Sequence, residues 1–357
     1  MAAGVILSGA LAGAVVAAVM VLGGGQARHP RSSPHDPRAA APAAGHAGGL
    51  SRHGTRSRRP LSHVSVRDLG PILPHALVGL AAAALGPHIY LFGGDGPAGF
   101  TGAVQVFTPG TAAAAPAVST VANLPVALHD GAAAAAGGAL WFCGGGQSVG
   151  TSSIYRWRPG GSPVAVAGLG QPMSDMAGVT VNGHGLCLGG WTGAAYSAAV
   201  FEPAGARPQG TAPVVGQLVH AVRYAGASPL DGGVLVAGGR LASGQPTDLL
   251  QWMAPSPREA GAFVAARDVG RLPLPLAYVM AAPLDGQVLV IGGVGPGGAS
   301  STIWDIAAPG ARPRAVGQLP AGLSYGAAAT LGSTVYVFGG NLSGTPSDQV
   351  LAITAGT

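Results

Sequence analysis

The chain of 357 residues reads as an all-β propeller of six blades, closed by an outer strand from its N-terminal side and preceded by one hydrophobic helix and a disordered linker. Three observations carry that reading. An apolar run ending in Gly-Gly occurs six times. Each run sits within a set of short strand-like stretches. One spare strand precedes the first unit, and the last unit lacks one.

The apolar runs are 89–92, 140–143, 185–188, 234–237, 288–291 and 335–338, and each leads into a glycine pair. The first glycines of these pairs fall at 93, 144, 189, 238, 292 and 339, a spacing of 45 to 54 residues. A period near 50 residues signals a repeat architecture. Length alone would suggest two or three domains, but a closed ring of repeats is one unit of this size. The 62 glycines fall at fixed places in the repeat, so they mark turns and close approaches instead of low complexity.

Charge is sparse, at 9% of residues. There is no Lys, and Glu occurs only at Glu202 and Glu259. The basic excess is local. Residues 23–62 hold seven Arg against Asp36, whereas 63–357 are near neutral. A neutral propeller argues against nucleic acid as a partner.

Residues 3–22 carry no charge and are long enough to span a bilayer. Segment 1–22 is therefore read as a transmembrane or signal-anchor segment, with membrane contact through 3–22. A basic n-region is absent, and Gly25-Gln26-Ala27 offers a passable cleavage site. Arg28, Arg31 and Arg38 follow the segment, which by the positive-inside rule favours a cytoplasmic propeller; an upstream basic stretch would reverse that. The reading adopted is a single-pass protein with the propeller outside the cytoplasm. Residues 23–62, rich in Arg, Pro and Ala and without aromatics, cannot bury enough surface to order themselves and read as a tether.

The propeller occupies 63–357. Its first strands are small-residue stretches: 79–85, 131–136, 177–181, 225–228, 279–282 and 326–331. Hairpin dipeptides follow at Asn182-Gly183, Asp231-Gly232 and Asp285-Gly286. The second strands are the apolar runs, dry on both faces, as expected of a sheet packed between two others. Third strands fall at 104–107, 154–157, 198–201, 249–252, 302–306 and 349–353. Fourth strands fall at 117–121, 163–166, 213–215, 263–266 and 313–316. The sixth fourth strand is missing from the C-terminal end, and 63–68 is placed to supply it.

Cys143 and Cys187 lie one and two residues before their glycine pairs, so they face each other across adjacent blades. Packed sheets sit about 10 Å apart, usually too far for a bridge except where blades converge. Two buried thiols are the preferred reading and a disulfide the alternative.

The six apolar-run-Gly-Gly elements over 63–357 resemble the kelch-repeat family, here of a bacterial, membrane-tethered or exported type. The resemblance implies a kelch-type β-propeller. A regular Tyr before the third-strand Trp is lacking, and only Tyr155 and Trp157 echo it. Kelch-type sugar mutarotases are a relevant comparison, but no motif maps onto them.

Antiparallel topology brings the start of strand one and the end of strand two to the same rim. The first-strand starts carry Gly79, Asp130, Asp175, Tyr224, Tyr278 and Tyr325, with His129 and Arg223 beside them. After the glycine pairs come Asp95, Gln147, Trp191, Arg240 and Asn341. Hydrogen-bonding groups next to aromatic faces suit a sugar or a peptide segment. The candidate ligand-binding set is Asp95, Asp130, Asp175, Trp191, Tyr224, Arg240, Tyr278, Tyr325 and Asn341. The competing reading is that these residues cap turns and cover the core. No histidine pair has metal-ligand spacing, and no metal or cofactor is expected. The function read from the chain is a non-enzymatic module that binds a protein segment or a glycan at this rim. The alternative is a carbohydrate-active enzyme, mutarotase- or hydrolase-like, using Asp130 and Asp175.

Overall fold

The computed structural model describes residues 60–147, 149–259 and 262–356. The hydrophobic segment and the tether up to residue 59 lie outside the described residues. The described part is all-β, with one short 3-10 turn at Pro203–Gly205.

Six four-stranded antiparallel sheets follow one another along the chain. Sheet 1 holds Ala81–Leu85, His88–Phe92, Ala103–Thr108 and Ala117–Asn123. Sheet 2 holds Ala132–Ala136, Ala139–Cys143, Thr151–Trp157 and Val164–Met173. Sheet 3 holds Ala177–Val181, His184–Leu188, Ala199–Phe201 and Val214–Gln217. Sheet 4 holds Gly226–Leu230, Gly233–Ala237, Thr247–Met253 and Arg267–Leu276. Sheet 5 holds Met280–Leu284, Gln287–Ile291, Thr302–Ile306 and Arg314–Gln318. Sheet 6 takes Ala327–Leu331, Thr334–Phe338 and Gln349–Ala355 from the C-terminal end, and its outer strand is Val64–Pro71. That strand pairs from Val64 opposite Ala355 to Asp68 opposite Leu351, then shifts register before Pro71.

The buried side chains separate into six clusters, each shared by two neighbouring sheets. Phe92 and Phe142 meet between sheets 1 and 2, and Phe107 meets Phe338 between sheets 1 and 6. This explains why the second strands are apolar on both faces: each sheet contributes to two interfaces.

The glycine pairs have a specific task. The second glycine of each pair donates its N–H to the carbonyl just ahead of the next sheet: Gly94 to Leu128, Gly145 to Met173, Gly190 to Val222, Gly239 to Leu276, Gly293 to Leu323 and Gly340 to Leu77. The last of these links runs from sheet 6 to sheet 1. The first glycine must let that carbonyl in. At Gly93, with φ +60°, an added Cβ would lie 2.1 Å from Leu128 O, so only glycine fits.

Two expectations need correction. The fourth strand of the fourth unit is not 263–266 but Arg267–Leu276. Residues 263–266 instead cover the outer edge of sheet 3, with Phe263 N–H donating to Val215 O and Ala266 N–H to Gln217 O. The nearly buried Phe263 ring draws that segment onto the core between sheets 3 and 4. Short apolar stretches alone do not tell a strand from an edge cover.

Cys143 and Cys187 are the second correction, because they form a disulfide. The two residues face each other as their positions require, and the sheets are closer here than the usual packed spacing, with the two Cα atoms 6.6 Å apart. The inner strand of sheet 2 is all alanine and that of sheet 3 opens with Ala177-Gly178, where a Cβ on Gly178 would lie 2.1 Å from Ala133 O. Sheets with so little between them converge well inside the usual spacing.

Candidate functional site

Six backbone segments meet where the inner strands begin. Tyr325 N–H donates to Tyr278 O, Tyr278 to Tyr224, Tyr224 to Asp175, Asp175 to Asp130, Asp130 to Gly79 and Gly79 back to Tyr325, with N···O distances of 2.7 to 3.1 Å. All six residues have left-handed backbone, with φ from +54° to +62°. Outside this ring lies a second tier of strand-like bridges: Val78 with Asp95, His129 with Gly146, Ser174 with Trp191, Arg223 with Arg240 and Ala277 with Val294. Ser324 pairs with Asn341 in the same way.

Gly79, Asp130, Asp175, Tyr224, Tyr278 and Tyr325 line an axial cavity of about 80 Å³. Gly79 makes room in it, since a Cβ there would lie 2.7 Å from Asp130 Oδ1 and 3.1 Å from the Tyr325 ring. Into that room the Tyr325 hydroxyl donates to Asp130 Oδ2 at 2.6 Å. His129 Nδ1 lies 2.8 Å from the same oxygen, and Phe100 stacks on the His129 ring at 4.4 Å. Beside this set, Arg223 Nε is 2.8 Å from Asp175 Oδ2, an ion pair whose N–H is not aligned on the oxygen. Arg223 also donates to the Tyr224 hydroxyl at 2.7 Å. Its guanidinium lies 4.4 Å from the Tyr224 ring centre and 5.6 and 5.7 Å from those of Trp191 and Tyr196. Tyr224 and Tyr278 stack at 4.0 Å, and Arg240 lies 5.3 Å from the Tyr278 ring centre.

The structure thus brings Asp130, Asp175, Tyr224, Tyr278 and Tyr325 into one cavity, with Trp191 and Arg240 at its edge. Asp95 and Asn341 are half-buried in the outer tier and do not line the cavity. Tyr196 went unrecognised in the sequence. It bridges to Trp191 across a short loop, and the loop length, not any motif, sets that pairing.

Burial raises Asp175 to about 6, and the neighbouring Asp130 charge adds to the rise, while Arg223 opposes it. Burial also raises the Tyr224 and Tyr325 hydroxyls, with further repulsion from the Asp130 charge. For His129, burial acts downward but the bond to Asp130 and the surrounding carboxylates outweigh it, so the ring holds its proton above its ordinary range. Asp175 then carries a pH signature. Between about pH 4 and 6 the unfolded chain releases the proton that folded Asp175 keeps, so stability falls as pH rises through that window. Asp305, raised to about 6 by burial, falls in the same window. Urea unfolding of wild type and Asp175→Asn across pH 3.5–7 should show a smaller decline in the variant, with a remainder from Asp305. An identical decline in both would refute the assignment.

Below the ring the axis continues as a channel of about 220 Å³ lined by alanines, Thr180, Pro229, Pro283 and Thr330. A larger cleft of about 650 Å³ lies at the outer edge between Arg67 and residues 110–116. Its polar side chains are Arg67, Thr111 and Tyr336, with no carboxylate or imidazole among its lining residues. Among the described residues no three His, Cys, Asp or Glu side chains cluster to hold a metal, and no helix is long and apolar enough to cross a membrane.

The chain superposes on the solved structure of YjhT with a TM-score of 0.64 at 15% identity, covering 80% of this chain and 95% of that one. The fold is propeller-like. No family model matches the chain, and neither does any curated protein. At this identity the likeness to YjhT carries the fold alone.

Proposed function

We propose that the six sheets are the blades of a closed, kelch-type propeller, and that it is a non-enzymatic module binding a glycan terminus or a protein segment at the axial mouth. One observation supports this above the others. Five of the six ring positions carry Asp or Tyr in left-handed backbone, which costs roughly 1–2 kcal/mol per non-glycine residue. Gly79 shows that the ring accepts glycine, which is free of that strain. Side chains kept at such a cost around one small cavity suit recognition better than turn capping.

The glycan is the preferred occupant. The cavity takes a terminal group, not a segment, and its carboxylates, phenols and flanking Trp191 and Tyr196 match hydroxyls beside an apolar sugar face. A glycan and peptide screen of the full chain tests this. Tyr278→Ala should weaken the retained ligand about tenfold, as loss of one aromatic contact of about 1.4 kcal/mol would, while moving the thermal midpoint only a few degrees. A loss of binding that merely follows unfolding, or a screen with no ligand, overturns the reading.

A specific observation favours a second reading. Asp175, raised to about 6 by burial and by the neighbouring Asp130 charge, sits next to Asp130 in the ring, so two carboxyl groups share one cavity. A carbohydrate-active enzyme using both would lose turnover in Asp130→Asn. Absence of turnover by the wild type across a glycan panel removes it.

The Cys143–Cys187 bond supports placing the propeller outside the cytoplasm, since such bonds persist in oxidising compartments. With 3–22 as the membrane segment, the protein is a tethered receptor, and protease accessibility on intact cells distinguishes the two orientations.

A further inference from the structure

Arg223 and Arg240 face each other directly across the strand pair at the mouth. They exchange both backbone bonds, Arg223 N–H to Arg240 O at 3.2 Å and Arg240 N–H to Arg223 O at 2.8 Å. Residues so paired send their side chains from the same face, and like charges directly opposite are destabilising. Only one of the two is balanced. Arg223 has Asp175 at 2.8 Å and the Tyr224 hydroxyl at 2.7 Å. Arg240 has no carboxylate among the described residues. Its one bond, from a terminal nitrogen to Gly244 O, is long at 3.4 Å. Its Nε is buried with no hydrogen-bond partner, although the guanidinium lies against the Tyr278 ring. A buried donor without an acceptor is costly, and folding alone gives no reason to set two guanidinium groups in register.

We propose that Arg240, backed by the charge of Arg223, is a carboxylate subsite at the edge of the axial mouth, so that the ligand bound there is a monoanion. This rests on the reading of the mouth as a binding site and names the chemistry it selects. Arg223 is matched by Asp175, and Asp130 has His129 and the Tyr325 hydroxyl at 2.8 and 2.6 Å, which leaves the Arg240 charge without a carboxylate among the described residues. A dianion such as phosphate would meet Asp175 and Asp130 across the same cavity. A carboxylate carries one charge and matches the planar guanidinium with two oxygens. The Tyr278 face beneath Arg240 fixes the plane of that fork.

The test uses the full chain and two matched pairs of probes: glucuronate against glucuronamide, and N-acetyl-dialanine with a free against an amidated C-terminus. In at least one pair the carboxylate should bind about tenfold more tightly, as one charge-assisted bond implies. That preference should shrink as salt rises. Arg240→Gln should abolish it while leaving the thermal midpoint unchanged or higher, because the like-charge pair is gone. Should that variant fail to fold, Arg240→Met keeps the packing on Tyr278 and serves in its place. A preference in the sugar pair upholds both the subsite and the glycan reading. A preference in the peptide pair alone upholds the subsite and overturns the glycan. Equal binding within both pairs overturns the subsite and leaves the mouth reading standing. No binding of any probe, or a preference that survives removal of Arg240, also overturns the subsite.

Discussion

Removal of residues 1–71 should leave a chain that no longer folds to a monomer. Val64–Pro71 is the outer strand of sheet 6, and its partner Gln349–Ala355 comes from the other end of the chain. Without it, that partner presents an open edge, and the Val64 side chain no longer fills the cluster shared with Leu351 and Ile353. Val64 is worth about 2 kcal/mol and the paired backbone about 1 kcal/mol per bond, so the loss is on the order of 5–10 kcal/mol. That is comparable with the whole stability of an ordinary domain. Gel filtration and thermal melting of the truncated chain would show aggregation or a lost transition. A synthetic peptide of residues 60–71 should restore the transition when added in excess. A truncated chain that melts cooperatively within a few degrees of the parent, starting at residue 72, would show that the strand is not what completes sheet 6.

The Cys143–Cys187 bond is expected to contribute the next largest single term. It joins the second strands of sheets 2 and 3 across a separation of 44 residues. Closing a loop of that length removes about 4 kcal/mol of unfolded-chain entropy in the simplest account, and measured values run from about 2 to 5. The Cys143→Ala, Cys187→Ala double variant should therefore unfold at clearly lower denaturant, by roughly 2–4 kcal/mol. Reductant should lower the wild-type midpoint and leave the variant unaffected. Both sulfurs are fully buried, so the bond should resist reduction until the protein opens. Alkylation of two free thiols in unreduced, unfolded protein would refute the bond.

Much of the fold was readable because its rules are local and repeated. The glycine pairs mark where each second strand ends, and the alanine-rich stretches mark the crowded inner strands. The start of each inner strand identified five residues that do line the cavity. What was not readable depends on where neighbouring sheets stand. Arg223 was noted only as a neighbour of Tyr224, yet it pairs with Asp175 of the preceding sheet. Asp95, Trp191, Arg240 and Asn341 occupy the same repeat position and none lines the cavity itself; Trp191 and Arg240 reach its edge only because Arg223 and Tyr278 lie against them. The 263–266 stretch looked like a strand in the repeat and proved to cover the edge of another sheet.

An all-β chain with six repeats, the glycine marks of each unit and the residue types around the axis follow from local pattern. A periodic pattern suffices for these, since strand alternation and glycine conformation are properties of a few consecutive residues. The tertiary structure alone decided the disulfide, the Arg223–Asp175 pair, and the facing of Arg223 with Arg240. Each depends on distances between segments about 20 to 50 residues apart, which the approach of small-residue inner strands and the length of each loop decide. Those distances turn a ring of turn residues into a cavity with an unbalanced charge at its edge.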